Sequence, residues 1–347
     1  MKLTTKLLTA TAIVAASGAF AEDLEVMHWW TSGGEAAAVG ELAKAFDATG
    51  NKWVDAAIAG GDAARAVMVS RLTGGDPMGA FQFNHGRQAE ELIEAGLLRD
   101  ITDIAEAEGW TDIINPPSLL ESCTVDGRIY CAPVNIHSWQ WLWLSHKAYE
   151  DAGLDVPTNW DEYVASAGAL NDAGKLPLAM GQQGWQQRGL FNTLFAALVP
   201  NEVFLAVYDD KDADVAAGAD VARVFAAAAD AREMASNSTV QNWNDATNLV
   251  ITGQAGGQIM GDWAQGEFAV AEQVAGTDYS CLPGLGVTEL LSTGGDAFYF
   301  PVLTDEAQIA AQSELAALML RPDTQVAFNL AKGSLPVRGD IDLSAAN

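Results

Sequence analysis

Residues 24–50 read LEVMHWWTSGGEAAAVGELAKAFDATG, and how this stretch folds decides the architecture. LEVMHWW is an apolar run of strand character, Thr31-Ser32-Gly33-Gly34 is a small-residue turn, and EAAAVGELAKAFDAT has the periodicity of a helix that stops before Gly50. Ser32 and Glu35 supply the S-x-x-E pattern of a capping box, so strand passes into helix within a few residues. The alternation continues. KWVDAAIA reads as a strand and DAARAVMVSRLTGG as a helix, then GAFQFN as a strand and GRQAEELIEAGLL as a helix. Strands alternating with helices predict a doubly wound α/β half. The strand-rich passage IYCAPVNIHSWQWLWLSHKAY then carries the chain away. Residues from about 146 to 290 read as a second, helix-rich α/β domain, and AFYFPVL could bring the chain back.

The extreme N-terminus stands apart. Lys2 and Lys6 precede the apolar LLTATAIVAA, and Ala19-Phe20-Ala21 is an A-x-A cleavage pattern, so residues 1–21 read as a signal peptide cleaved after Ala21. The apolar core is too short for a stable membrane span. The remaining 326 residues are more than one hydrophobic core ordinarily holds, which predicts two domains. Net charge is −28; removing residues 1–21 takes two lysines and no acid, leaving −30. A surface this acidic repels phosphate backbones and anionic lipid, and so disfavours nucleic acid and membrane surfaces as partners.

Cys123 and Cys131 flank an Asp-Gly turn in CTVDGRIYC. A hairpin centred on Gly127 opposes the two and predicts a disulfide across a three-residue loop, Asp126-Gly127-Arg128. Cys281 is left over. With a C-terminus that stops in loop-like sequence, it points to a chain truncated at residue 347, with the missing partner beyond.

Catalytic patterns are missing: there is no G-x-S-x-G, H-E-x-x-H, P-loop or strand-linked G-x-G-x-x-G. Among 46 acidic residues some carboxylate pair suited to glycoside hydrolysis always exists, so its presence carries no weight. No cofactor is called for. The four histidines, His28, His85, His137 and His146, have no helical metal-ligand spacing, although a site assembled from His28, His85 and His137 is an open alternative. The positive signal is tryptophan, of which there are eleven. Trp139, Trp141 and Trp143 alternate and predict one packed strand face. Others stand beside amides and carboxylates: Trp29-Trp30 before Glu35, Trp185 among glutamines, Trp243 beside Asn244, and Trp263 beside Asp262. A flat apolar ring ringed by hydrogen-bonding groups suits a neutral sugar, whose C–H face and hydroxyls need both. Strand alternation puts Trp30 in the cleft and Trp29 in the core, while Glu35 either caps the helix or accepts from a hydroxyl.

The segments HWWTSGGE, PVNIHSWQWLWL, GQQGWQ, QNWN, IMGDWAQGE, DYSCLPG and KGSLPVR, in order over residues 25–338, resemble the periplasmic sugar-binding proteins of ABC importers, the type II solute-binding group with its glucose/mannose-type receptors. The resemblance implies two α/β lobes joined by a hinge, residues 22–135 with 297–330 and residues 136–296, with 331–347 crossing back. It implies a monomeric protein of the periplasm that closes over a monosaccharide, glucose or a related aldohexose, and delivers it to the membrane permease. Carried over by motif, Trp30 and Trp263 sandwich the ring, and Asp296, Lys332 and His137 bind hydroxyls. Such receptors often carry a lysine in a QxKG-like turn; this chain has QFNHGRQ, so His85 or Asn84 replaces it. The ligand set is therefore Trp29, Trp30, Glu35, His85, His137, Trp185, Asn244, Asp262, Trp263, Asp296 and Lys332. The remaining alternatives are an exported metal receptor and a secreted glycoside hydrolase.

Overall fold

The computed structural model describes residues 22–342; the signal peptide inferred at 1–21 and the last five residues lie outside the described part. The chain opens with β1 (Asp23–His28), α1 (Gly33–Asp47), β2 (Lys52–Ala57), α2 (Gly61–Gly74) and β3 (Ala80–Asn84). β1 runs parallel to both β2 and β3. Parallel neighbours need crossovers long enough to return the chain, and α1 and α2 provide them. The capping box is formed: Ser32 Oγ accepts from the Glu35 N–H, and the Glu35 carboxylate accepts from the Ser32 N–H. Four short helices follow, α3 (Glu90–Glu94), α4 (Thr102–Ala107), α5 (Trp110–Ile113) and α6 (Ser118–Glu121).

The cysteine hairpin departs from its expected register. β4 (Thr124–Val125) pairs with β5 (Arg128–Ile129) so that Val125 faces Arg128, which leaves a two-residue turn of Asp126 and Gly127 rather than three residues centred on Gly127. Both turn residues take positive φ, 50° and 74°, the geometry that suits the right-handed twist of a tight hairpin. Cys123 therefore opposes Tyr130, whose N–H donates to the Cys123 carbonyl. The disulfide still forms, reaching one residue further to Cys131, where β6 (Cys131–Pro133) begins, so it staples the hairpin to the first sheet.

After β6 the chain leaves through β7 (His137–Ser138) and builds a second sheet with β8 (Trp141–Ser145), β9 (Leu176–Leu178), β10 (Ala255–Met260) and β11 (Tyr279–Pro283), in the order β11-β8-β10-β9. Its helices are α7 (His146–Ala152), α8 (Trp160–Asp172), α9 (Gly184–Leu198), α10 (Asn201–Tyr208), α11 (Ala213–Ala216), α12 (Ala219–Met234), α13 (Trp243–Ile251) and α14 (Ala264–Val270). The return runs through β12 (Thr293–Gly294), which pairs with β7, into β13 (Asp296–Tyr299), completing the first sheet as β2-β1-β3-β13-β6. Helix α15 (Glu306–Met319) then packs on that sheet, and α16 (Pro322–Lys332) lies against α1.

The result is two α/β lobes with separate cores, one around Phe81, Phe83, Phe298 and Tyr299, the other around Leu142, Tyr163, Leu194 and Ile259. The β7–β12 ladder lies on the crossing between them. Beyond α16, Gly333 lies close to Gln265 and Asp262 of the second lobe. The chain then runs back along the first: Leu335 bridges Ile136, Arg338 bridges Ile114, and Val337 enters the core. That contact at Gly333 is where the described part of 331–347, expected to cross back, meets the second lobe.

One expectation about the tryptophans is corrected. β8 begins at Trp141, and the Trp141 N–H donates to the Trp139 carbonyl, so Trp139 lies outside the strand and off the shared face. Trp141 and Trp143 stack on each other, and the Trp143 indole N–H donates to the Met260 carbonyl. Trp139 turns instead toward Trp185 and Trp263.

Candidate functional site

The lobes meet backbone to backbone. The Gly34 N–H, in the first turn of α1, donates to Glu267 Oε1 of α14 at 2.7 Å. A Cβ on Gly34 would sit 2.5 Å from the Gly266 carbonyl carbon, so glycine is needed for this approach. Beside the contact, the last residue of α16 reaches between two indoles: Lys332 Nζ is 5.9 Å from the ring centroid of Trp30 in the first lobe and 5.9 Å from that of Trp263 in the second. Both distances fit a cation attracted to an aromatic face. The ammonium also pairs with Glu35 Oε1 at 3.8 Å. Gly333, at φ 74°, turns the chain away at once and so ends α16 at the lysine.

A second group is centred on His137, on the crossing strand β7. Its Nδ1 lies 2.6 Å from Asp262 Oδ1 of the second lobe, and its Nε2 lies 3.2 Å from Asp296 Oδ2, where β13 re-enters the first. Asp296 is held further by Gln82 Nε2 at 2.9 Å and Asn135 Nδ2 at 3.0 Å, and its own N–H donates to Asn135 Oδ1. Asp262 accepts from the Ser138 N–H at 2.7 Å. The His137 ring meets Trp263 edge-on, with centroids 5.1 Å apart. One continuous polar cluster therefore links first lobe, crossing strands and second lobe.

Most of it is buried, Asp296 at 5% exposed and Lys332 at 2%, while Asp262 is half-buried. Burial alone would raise the Asp296 pKa, but the hydrogen bond and charge of His137, with the Lys332 charge and the Asn135 amide, hold it at about 2. Burial would lower that of His137, but the adjoining Asp262 and Asp296 outweigh it and push it up. Glu35 is pushed up by burial against the opposing charge of Lys332. Sequestered charges at this density cost stability unless matched, and such clusters concentrate at functional sites. Together the cluster offers acceptors, donors and two flat rings, the chemistry of hydroxyl recognition.

Glu35, His137, Asp262, Trp263, Asp296, Lys332 and Trp30 are thus brought together. Trp30, assigned to the cleft by alternation, is 2% exposed and packs on Phe298 and Phe328, touching the cluster through Lys332. Trp29 is the half-buried member of the pair, its N–H bound to Gln82 Oε1. His85 borders the cluster. Its Nδ1 hydrogen-bonds Ser122 Oγ at 2.8 Å, and its buried Nε2 has no protein partner. Burial lowers its pKa while Asp296 raises it. Trp185 stands further out, its indole N–H on Gln183 Oε1, and Asn244 sits half-buried in the first turn of α13. Neither makes a hydrogen bond or ring contact with Asp296 or Lys332.

His28 belongs elsewhere: its Nε2 pairs with Asp55 at 2.7 Å, and burial lowers its pKa. It lines a hollow of about 550 Å³ between α1 and β2. Among the described residues no group of three or more His, Cys, Asp or Glu is arranged to hold a metal ion.

Sequence reasoning missed Gln82, Asn135, Ser138 and Glu267. Gln82 left a signal, a polar residue inside the apolar strand AFQFN, and it is fully buried.

Comparison with known proteins bears on this geometry. The profile described as "Bacterial extracellular solute-binding protein" matches residues 30–336. A "Probable sugar-binding periplasmic protein" of Rhizobium meliloti (strain 1021) is 35% identical over 98% of this chain and 82% of its own. Among solved structures, a "Chitin oligosaccharide binding protein" superposes with a TM-score of 0.74 at 19% identity, covering 93% of this chain and 84% of its own. The bacterial solute receptor AcbH, described as exclusive for β-D-galactopyranose, also gives 0.74, at 17% identity and 94% and 83% coverage. At these identities the structural likenesses speak for the fold.

Proposed function

The chain belongs to the bacterial extracellular solute-binding proteins, and we propose that it captures a sugar, an aldohexose with D-glucose first, and delivers it to the permease of an ABC importer. It acts by binding; the family is one of solute receptors. In this reading residues 1–21 are removed after Ala21 and the receptor works as a monomer in the periplasm. Residues 22–135 with 297–330 form one lobe, to which Asp296 at the start of β13 also belongs, and residues 136–295 the other.

One observation carries the proposal. The Lys332 ammonium lies near both the Trp30 and Trp263 rings and pairs with Glu35, while the His137 group brings Asp262 of the second lobe and Asp296 of the first together. Charged groups make the stronger hydrogen bonds to hydroxyls, and an indole covers the apolar face of a pyranose. The sugar-binding names of close relatives point the same way. Because the groups come from two lobes, the sugar meets all of them only when the lobes are together. Binding then shifts the population toward the closed form that the permease recognises.

The test is tryptophan fluorescence titrated with D-glucose, galactose, mannose and xylose, with and without EDTA. A saturable change with one aldohexose, indifferent to EDTA, is expected. Silence toward every sugar, with thermal stabilisation by a divalent metal, would replace this reading by the metal-receptor one.

A further inference from the structure

We propose that the hollow between α1 and β2, on the first lobe and away from the contact between lobes, binds a small organic cation: a protonated amine with a flat apolar body. The proposal does not rest on the sugar reading, because the groups that would hold the amine, His28, Trp53 and Asp55, lie outside the sugar cluster.

β2 is the edge strand of the first sheet. Its parallel register with β1 sets Trp53 opposite Leu24, Asp55 opposite Val26 and Ala57 opposite His28, so Trp53, Asp55 and His28 share one face. α1 packs on that face, with Phe46 edge-on to Trp53 at 6.5 Å. The outer flank of the same helix carries only small residues a turn apart, Ala36, Gly40 and Ala43, and a Cβ on Gly40 would meet nothing within 4 Å. The helix therefore leaves a hollow of about 550 Å³, with the buried rings of Trp30, Trp53 and His28 in its wall.

The polar groups of this hollow are unevenly matched. His28 Nε2 lies 2.7 Å from Asp55 Oδ1, and Trp53 Nε1 donates to the same oxygen at 3.2 Å. Burial lowers the His28 pKa, so the ring is neutral; with its proton on Nε2, facing the carboxylate, Nδ1 is an acceptor. That Nδ1 is buried and has no protein partner. A buried acceptor left unmatched costs about 1–3 kcal/mol, and native folds rarely keep one idle. Burial opposes the Asp55 charge, but His28 and the Trp53 N–H hold its pKa below the usual value. Its side chain is 56% exposed, so the carboxylate keeps lone pairs for a ligand. The donors, by contrast, are spent: both ring N–H groups on Asp55, and the Lys52 ammonium on Asp47. The exposed Thr31 hydroxyl can turn either way. What matches this lining must donate, carry positive charge and lay an apolar body on rings. An ammonium on Asp55 lies beside the Trp53 indole, where attraction to the ring adds to the ion pair. The chain's net charge of −28 draws cations toward it.

The test is calorimetric titration at neutral pH with benzylamine and with benzyl alcohol, its uncharged counterpart, of wild type, Asp55→Asn and Gly40→Leu. Benzylamine should saturate one site per chain in wild type and bind at least tenfold more tightly than the alcohol. Asp55→Asn should bring the amine down to the alcohol's level. Gly40→Leu, which fills the hollow from an open helix position, should abolish both while D-glucose affinity stays within twofold of wild type. Should Asp55→Asn fail to fold, Gly40→Leu decides. Equal binding of amine and alcohol, no saturable amine binding, or amine binding that survives Gly40→Leu overturns the site. A wild type that binds the amine but no sugar overturns the sugar reading alone.

Discussion

Gly34→Ala should weaken sugar binding while leaving the fold intact or firmer, and the two effects can be worked separately. Gly34 lies in α1 with no positive φ, so alanine suits the backbone and should stabilise the helix by about 0.5–1 kcal/mol. Where the lobes meet in this structure, however, its Cβ would lie 2.5 Å from Gly266 C, 2.8 Å from Gly266 Cα and 2.9 Å from Glu267 N, where ordinary contact begins at 3.4 Å. These neighbours are backbone atoms and cannot swing aside, so the lobes must part by about 1 Å. Overpacking of this kind costs about 1–3 kcal/mol. Stretching the Gly34–Glu267 bond, which ends on a carboxylate, adds about 1 kcal/mol. About 3 kcal/mol against closure is roughly a hundredfold loss of affinity. Gly40→Ala is the control, because it sits in the same helix with nothing within 4 Å of a new Cβ and should match the stability gain without touching binding. Calorimetry gives the affinity, a thermal melt the stability, and small-angle scattering the closure on adding sugar. The reasoning is refuted if Gly34→Ala binds within threefold of wild type, or if its loss of binding comes with an equal loss of stability.

Other predictions concern charge and covalent structure. Asp296 is held at about 2 against an ordinary 3.8, so it contributes about 2 kcal/mol that is present above pH 3.8 and lost as pH falls toward 2; denaturant titrations across that window should show it, and Asp296→Asn should flatten the loss. His137 has the opposite sign: raised above 6.5, its contribution is complete below that value and disappears as pH rises through the raised value. Stability should therefore fall as pH rises from 6.5 through the raised value in wild type, as denaturant titrations would show, and a His137→Gln variant with the same fall would contradict the assignment. Replacing both Cys123 and Cys131 by serine opens a loop with a sequence separation of 8, which chain entropy sets at about 2.5 kcal/mol of stability; a chemical melt should show the loss while sugar affinity stays unchanged.

The β-α order and the α1 cap were legible because they depend on neighbours a few residues apart. The disulfide was legible too, but its hairpin register was not, since Asp126 and Gly127 both adopt positive φ and shorten the turn that glycine alone had seemed to centre. The assignment of Trp29 and Trp30 to opposite faces used strand parity. β1 ends at His28, so neither indole lies in the strand whose alternation was being counted. Trp139 failed for the same reason at the start of β8. Of the candidate cluster, the members with unusual neighbours, Glu35, Trp263, Asp296 and Lys332, could be named in advance from motif and resemblance. Gln82 and Asn135 could not, because their work is to hold Asp296 from positions 214 and 161 residues away. The glycine contact between α1 and α14 left no local mark at all.

The most direct test of the account is a calorimetric titration of wild type and Trp263→Ala with D-glucose. The account predicts saturable binding of one glucose per chain in wild type and a loss of at least tenfold in the variant, whose ring flanks Lys332 and His137. Undiminished glucose binding by Trp263→Ala would contradict the placement of the site between the lobes, and no heat from glucose or any other aldohexose in wild type would contradict the function itself.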